Sequence, residues 1–276
     1  MSQTPFLKMH GAGNDFVLLD ARKRSLNLTE NQVKQLCDRH FGIGCDQLVV
    51  LEASDKAEGS MVIYNADGSR ISTCGNATRC VADFLMKESG RAEALIETRA
   101  GILKGWRAPE GDVTVNMGAP RWEWNEIPLS ESRNTLHLGL EEGLLHDPVA
   151  ISMGNPHMVF FVRDLSQVKM EQCGPKLEHH PLFPERANVS AVQVVSRNEL
   201  RMAVWERGAG ITLACGSAAC AAVVAGVRRE YCERKVTVHL PGGALRIEWQ
   251  QGQGDQPGDV LMSGGVAYVF EGQIAL

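Results

Sequence analysis

Two cysteines stand out because each is followed by glycine and then by small and apolar residues at helical spacing. They are Cys74-Gly75 in CGNATRC and Cys215-Gly216 in ACGSAACAA. A strand-like stretch precedes each one, MVIYN from Met61 and MAVWE from Met202. The pattern predicts a strand, a turn and a helix that starts at the cysteine. A thiol in that place faces backbone N–H groups with no acceptor inside the helix, and the positive end of the helix dipole. Both favour thiolate, so the placement predicts a lowered pKa for each thiol. The glycine lets a ligand approach the backbone closely, and a helix start can hold a carboxylate. Two such thiols on opposite sides of one carbon suit stereoinversion, one removing a proton and the other returning one to the opposite face.

The elements that must position these thiols occur twice. Gly13-Asn14 and Gly154-Asn155 each open an apolar run, and 155 − 14 = 141. The two cysteines repeat that offset (215 − 74 = 141), as do the strands before them (202 − 61 = 141). A glycine turn follows each helix, around Gly101 and Gly243. The preserved order predicts one fold used twice, as domains 1–117 and 118–262, with the stretch 263–276 returning to the first. PRWEWNEIP, with Pro120 and Pro128 as breakers, reads as the connection. Within the first half, Phe16–Asp20, Leu48–Leu51, Met61–Asn65, Leu95–Thr98 and Val113–Met117 read as short strands. Thr29 with Gln32 reads as a capping box for a helix carrying Val33, Leu36 and Cys37 on one face. Ala77, Cys80, Val81, Phe84 and Leu85 give the main helix its inner face, and Gly90 suits its C-terminal end.

The chain has 276 residues, 44% hydrophobic and 22% charged, enough for a substantial core and too apolar for disorder. With 28 basic against 33 acidic side chains and no Lys/Arg block, it lacks the basic face that nucleic acid requires. The start, MSQTPFLKMHGAGNDF, has no signal-peptide pattern, and eight cysteines are too few for a disulfide scaffold, so a reducing cytoplasm is expected. The uncharged run between Arg207 and Arg228 is long enough to span a bilayer, but its Gly, Ala, Ser and Thr content predicts a buried helix and no membrane partner. Neither cysteine motif has CxxC spacing, and no HExxH, P-loop or complete G-x-G-x-x-G occurs, so neither metal nor nucleotide cofactor is expected. Cys80 and Cys220 read as small core residues. Cys37, Cys45, Cys173 and Cys232 have no recognisable partners and read as structural. A thiol redox protein is the alternative from another class, and the missing CxxC counts against it.

Taken together, KMHGAGNDF, GIGCDQ, YNADGS with CGNATRC, GNPH, FPERANV, ERGAG with ACGSAACAA, and LPGG resemble the diaminopimelate epimerase family almost end to end. The resemblance implies an α/β (α+β) fold of two similar pseudo-symmetric domains, each a curved, mostly antiparallel β-sheet or barrel wrapped around a central helix. It also implies a cofactor-independent isomerase converting LL- to meso-2,6-diaminopimelate, in lysine and peptidoglycan precursor synthesis. A proline or hydroxyproline racemase of the same fold is the runner-up. Carried over by motif, Cys74 and Cys215 are the two catalytic bases. Asn14 and Gln47 line the pocket, while Asn65, Asn155, Asn188 and Arg207 read the distal amino-acid end. An arginine's planar fork matches a second carboxylate. Gly75-Asn76 and Gly216-Ser217 offer N–H groups to the reacting carboxylate, and His157 and Glu206 stand beside the cysteines to tune their ionisation. Glu206 is counted with the substrate-binding set as well. The family is a homodimer, with Tyr268 near the matching contact. This chain departs from the family's frequent glycine at Ala77 and Ala218, where alanine favours helix by about 1 kcal/mol.

Overall fold

A computed structural model describes residues 3–71, 74–254 and 256–276. The chain divides into two compact units, Met1–Val115 with Ser263–Leu276, and Asn116–Met262. In chain order the first unit opens with β1 (Gln3–Gly11), β2 (Asn14–Ala21), α1 (Glu30–Cys37), β3 (Gln47–Glu52) and β4 (Gly59–Asn65). It continues through β5 (Arg70–Ile71), α2 (Gly75–Ser89), β6 (Glu93–Thr98), β7 (Gly101–Arg107) and β8 (Val113–Asn116). The second unit contains β9 (Glu141–Glu142), β10 (Leu145–His146), β11 (Val149–Ser152), β12 (Pro156–Val162), α3 (Met170–Glu178) and β13 (Asn188–Ser196). After these come β14 (Glu199–Glu206), β15 (Gly210–Ile211), α4 (Gly216–Arg228), β16 (Lys235–Leu240), β17 (Gly243–Trp249) and β18 (Val260–Gly264), whose last two residues fall in the first unit. The last strand, β19 (Ala267–Ala275), belongs to the first unit and pairs antiparallel with β1.

In the first unit, β1 pairs antiparallel with β2, β3 with β4, β6 with β7, and β7 with β8. Two neighbours are parallel, β2 with β3 and β4 with β6, and each parallel step needs a crossover. Those crossovers carry α1 and α2. Side chains alternate along the strands, so the two helices take opposite faces. Phe16, Leu18, Val49, Leu51, Met61 and Ile63 pack with Ala77, Cys80, Val81 and Leu85 of α2. Val17, Leu19, Leu48, Val50 and Tyr64 pack with Val33, Leu36 and Cys37 of α1. The sheet is therefore buried on both faces, and α2 is the helix it wraps.

The second unit repeats this order. β11 pairs antiparallel with β12, β13 with β14, and β16 with β17, while β12–β13 and β14–β16 are parallel steps spanned by α3 and α4. Register repeats too. Phe16 faces Gln47 in one unit, and His157 faces Asn188 in the other, each displaced by 141 residues. From Ala218 to Ala225, α4 is fully buried. The uncharged run between Arg207 and Arg228 thus becomes a two-residue strand, a turn and most of a 13-residue helix. Among the described residues, no helix is long and apolar enough to cross a membrane.

Local chemistry sets the helix ends. The Thr29 hydroxyl accepts from the Gln32 N–H, and the Gln32 side chain accepts from the Thr29 N–H, closing the capping box. Gly90 ends α2 at φ 70, where glycine avoids a side-chain clash. A further helix, Met170–Glu178, carries Pro175 in its interior, where proline ordinarily breaks a helix. The structure keeps a helix there because Met170, Cys173 and Leu177 pack into the core that includes Met158 and Phe160. Cys37 and Cys45, read as lone residues, in fact lie with sulfurs 3.5 Å apart.

The position of α2 depends on one small residue of β7. A Cβ placed on Gly105 would lie 2.5 Å from the Cβ of Ala82. Neither group has a rotamer to relieve that contact, so Gly105→Ala is expected to destabilise the first unit by about 1–3 kcal/mol. Urea denaturation checks this; an unchanged midpoint would show that the sheet yields at no cost.

Candidate functional site

Each unit builds its own cluster around one cysteine. In the first, β1 and β2 are joined by Ala12 and Gly13, both with positive φ (54 and 80). That is the pattern of a two-residue hairpin turn whose twist suits the strands. It sets Asn14 as the first residue of β2. Cys74 is the N-cap of α2 in extended conformation, and its carbonyl accepts from the N–H and hydroxyl of Thr78, each at 2.9 Å. Its thiol donates to Asn14 Oδ1 at 3.7 Å, and Asn76 Nδ2 donates to the same oxygen at 3.2 Å. Asn14 Nδ2 in turn donates to Asp46 Oδ2 at 3.0 Å.

Gln47 and Asn65 face each other across β3 and β4, and Gln47 Nε2 donates to Asn65 Oδ1 at 3.2 Å. Asn65 is held at the strand end by Ser69, whose hydroxyl accepts from its Nδ2 at 3.1 Å. Gln47 Oε1 is buried and has no protein donor. An acceptor in that state is costly unless a ligand or water supplies a donor.

In the second unit, Cys215 is the N-cap of α4, 5% exposed, with its carbonyl accepting from the Ala219 N–H. Its sulfur lies 3.6 Å from Ser217 Oγ. Ser217 Oγ also accepts from Asn155 Nδ2 at 3.4 Å, and Asn155 Oδ1 pairs with His157 Nε2 at 2.9 Å. An amide oxygen only accepts, so the ring proton sits on Nε2. His157 is thus linked to Cys215 through Asn155 and Ser217. Asn188 donates to the carbonyl of Pro156 at 3.1 Å and accepts from the Arg207 backbone N–H at 2.9 Å. The Arg207 guanidinium donates to the Glu185 carbonyl at 2.9 Å rather than to a carboxylate. Glu206 accepts from the Thr212 hydroxyl at 2.5 Å.

Electrostatics separates sequence expectation from structure at Cys215. Burial pushes its thiol well above the ordinary value, and the charge of Glu206 and a hydrogen bond to it push the same way. Ser217 and the Ala218 N–H lower it, without reversing the balance. The helix start alone predicted a lowered value; desolvation and a neighbouring carboxylate win here. His157, fully buried, is pushed down to about 3, first by desolvation and then by the Arg207 charge. It is neutral at any ordinary pH.

Gly75 and Asn76 open α2, and Gly216 and Ser217 open α4, where their N–H groups can face an anion. Ala77 and Ala218 are fully buried inside their helices' first turns. Tyr268 lies on β19 with Lys87 Nζ 3.7 Å above its ring. The residues that sequence reasoning missed are Asp46, which grips Asn14, and Glu178. Buried Glu178 accepts from Trp205 Nε1 and the Gly208 N–H at 2.7 and 3.0 Å, fixing both sides of Glu206-Arg207. Asp46 sits inside the GIGCDQ motif, so its neighbourhood to Gln47 was the available signal. Among the described residues, no three His, Cys, Asp or Glu side chains group to hold a metal ion.

The family model described as diaminopimelate epimerase matches residues 6–123 and 149–269. A diaminopimelate epimerase of Acidiphilium cryptum is 50% identical over 270 residues, 98% of this chain and 96% of that protein. One from Rhodospirillum centenum is 49% identical over 272 residues, 98% and 92% of the two chains. Among solved structures, a phenazine biosynthesis protein of the PhzF family from Bacillus anthracis superposes with TM-score 0.74 at 18% identity, covering 100% of both chains. A hydroxyproline epimerase from Agrobacterium vitis gives TM-score 0.68 at 14% identity, over 99% and 93%. At such identities these two structures show a shared fold alone.

Proposed function

The chain belongs to the diaminopimelate epimerase family, whose members are isomerases, and on that premise we propose a two-base mechanism using Cys74 and Cys215. The substrate is 2,6-diaminopimelate, interconverted between its LL and meso forms. One sulfur, as thiolate, takes the proton from the α-carbon, and the other, as thiol, gives a proton to the opposite face. Carbanion charge spreads into the α-carboxylate, which the helix starts at Gly75-Asn76 and Gly216-Ser217 stabilise through N–H groups and dipole. The observation that carries this reading is the repeat itself. Two cysteines occupy the N-caps of equivalent helices, 141 residues apart, in a chain of this family.

Roles for the remaining residues follow from their chemistry. Asn14 and Gln47 line the pocket, and the orphan Gln47 Oε1 suits a substrate ammonium. Asn65, Asn155, Asn188 and Arg207 read the distal amino-acid end, with the guanidinium pairing the second carboxylate. Burial, and after it Glu206, raises the Cys215 thiol, so Cys215 needs substrate binding or a proton partner before it can serve as base. The reaction as written needs no cofactor. Eight free thiols fit a reducing cytoplasm. A homodimer through β19 is part of the same reading, supported by half-exposed Tyr268, Val269 and Phe270 on that strand.

The test is isotope wash-in. LL-diaminopimelate incubated with reduced protein in D2O should gain deuterium at one α-carbon per inversion. No exchange would sink the mechanism. Proline and hydroxyproline, run in parallel, should remain unexchanged, since neither offers a second charged end to Arg207.

A further inference from the structure

Asp46 occupies an unusual place, on the side of Asn14 away from Cys74. Its Oδ2 accepts from Asn14 Nδ2 at 3.0 Å and from the Asp15 backbone N–H at 3.1 Å. Its own N–H donates to Asp15 Oδ1 at 2.8 Å. Arg39 donates to Asp46 Oδ1 at 2.7 Å and bridges to Asp15 at 2.8 and 3.0 Å. Lys8, buried beneath, pairs with Asp15 at 2.6 Å and donates to the Gly44 carbonyl. Burial would raise the Asp15 carboxyl, but Arg39 and Lys8 hold it well below the usual carboxylate range. Asp46 is thus fixed by backbone and by the Arg39 charge, on a network that meets the pocket-lining residues at Asn14.

The consequence lies in what an amide can present. A carboxylate has only acceptors, so the Asn14 amide must turn its NH2 toward Asp46. Its carbonyl oxygen is then forced toward Cys74, where the thiol and Asn76 Nδ2 donate to it. We propose that Asp46 is a positioning residue for the reaction, setting through Asn14 which end of the amide faces the Cys74 sulfur. A carbonyl there holds the S–H in one direction. A reversed amide would offer N–H to the sulfur, favouring thiolate and losing the aim of the proton. This rests on the reading of Cys74 as a reacting group.

The experiment combines turnover with alkylation of Cys74 by iodoacetamide at fixed pH, followed by mass spectrometry of the Cys74 peptide. Asp46→Asn lets the Asn14 amide reverse. It should lower kcat by about 10-fold or more with KM moving less than about threefold, while Cys74 alkylates faster than in the unaltered protein. In an Asn14→Ala background, adding Asp46→Asn should change neither kcat nor alkylation. A rate increase that persists in that background would mark a direct charge effect and overturn the proposal, as would unchanged alkylation in the single variant. Asp46→Glu and Asp46→Gln form a second pair, usable if Asp46→Asn does not fold. Faster alkylation in the Gln variant supports the proposal, and equal rates refute it. Absence of isotope exchange in the unaltered protein would defeat the two-base reading, whereas the alkylation comparison would still report the orientation of Asn14.

Discussion

Cys74→Ser and Cys215→Ser should each reduce epimerisation by about 10²–10⁴-fold in both directions, without loss of fold. A serine hydroxyl is a far weaker acid than a thiol, so it neither supplies an anionic base nor gives up a proton as readily. Stability should move the other way or not at all. Neither cysteine side chain caps its helix, whereas serine is among the best N-cap residues, with capping worth about 0.5–2 kcal/mol. Cys215, although buried, has Ser217 Oγ at 3.6 Å to meet a new hydroxyl. Circular dichroism melting curves therefore separate the two effects. Turnover near the unaltered level in either variant would remove that residue from the mechanism, and a large drop in melting temperature would mark a packing role instead.

What the sequence disclosed, it disclosed through local patterns. The starts of α2 and α4 were legible because a strand, a Cys-Gly pair and a helical run occur in the same order twice. The Thr29 capping box and the Gly90 end are equally local. β1 is less legible, for reasons visible in its residues. Pro5 and Lys8 interrupt the alternation, and a register shift at Lys8-Met9 moves the buried face. Its partner β19 lies at the other end of the chain, beyond any sequence window. α3 holds Pro175 against local preference, and it is tertiary packing that retains it. Asp46 carries no local signal of its role, which depends on Asn14 and Arg39, residues that only folding brings to it.

The same distinction explains the thiol chemistry. A helix start is a local cause and was readable, but the ionisation of Cys215 is decided by burial and by Glu206, which arrives from β14. The two halves share a topology, and the cysteines at their helix starts have different neighbours. Cys74 meets an amide carbonyl, whereas Cys215 meets a hydroxyl and a carboxylate.

Acid should expose the second unit's dependence on neutral His157, and His157→Gln should lessen that dependence. In the native protein the ring titrates near 3, against an ordinary value of 6.5 in the unfolded chain. Between those values the unfolded chain binds a proton that the native protein refuses, so unfolding takes up a proton as pH falls. Stability is complete above about pH 6.5 and declines toward pH 3, by at most about 1.4 kcal/mol per pH unit for one such group. Carboxylates also titrate in this range, but they are common to both proteins, so the difference between the two stability curves isolates the imidazole. Glutamine removes the titration and retains an N–H donor for Asn155 Oδ1, the acceptor of the native ring. Denaturant midpoints at pH 7, 6, 5 and 4 should therefore converge, or cross, as pH falls. Parallel curves would mean that the ring takes up its proton as readily in the native protein as in the unfolded chain. With that proton bound, the Asn155–Ser217 path to Cys215 would end in a positive charge rather than in a neutral donor.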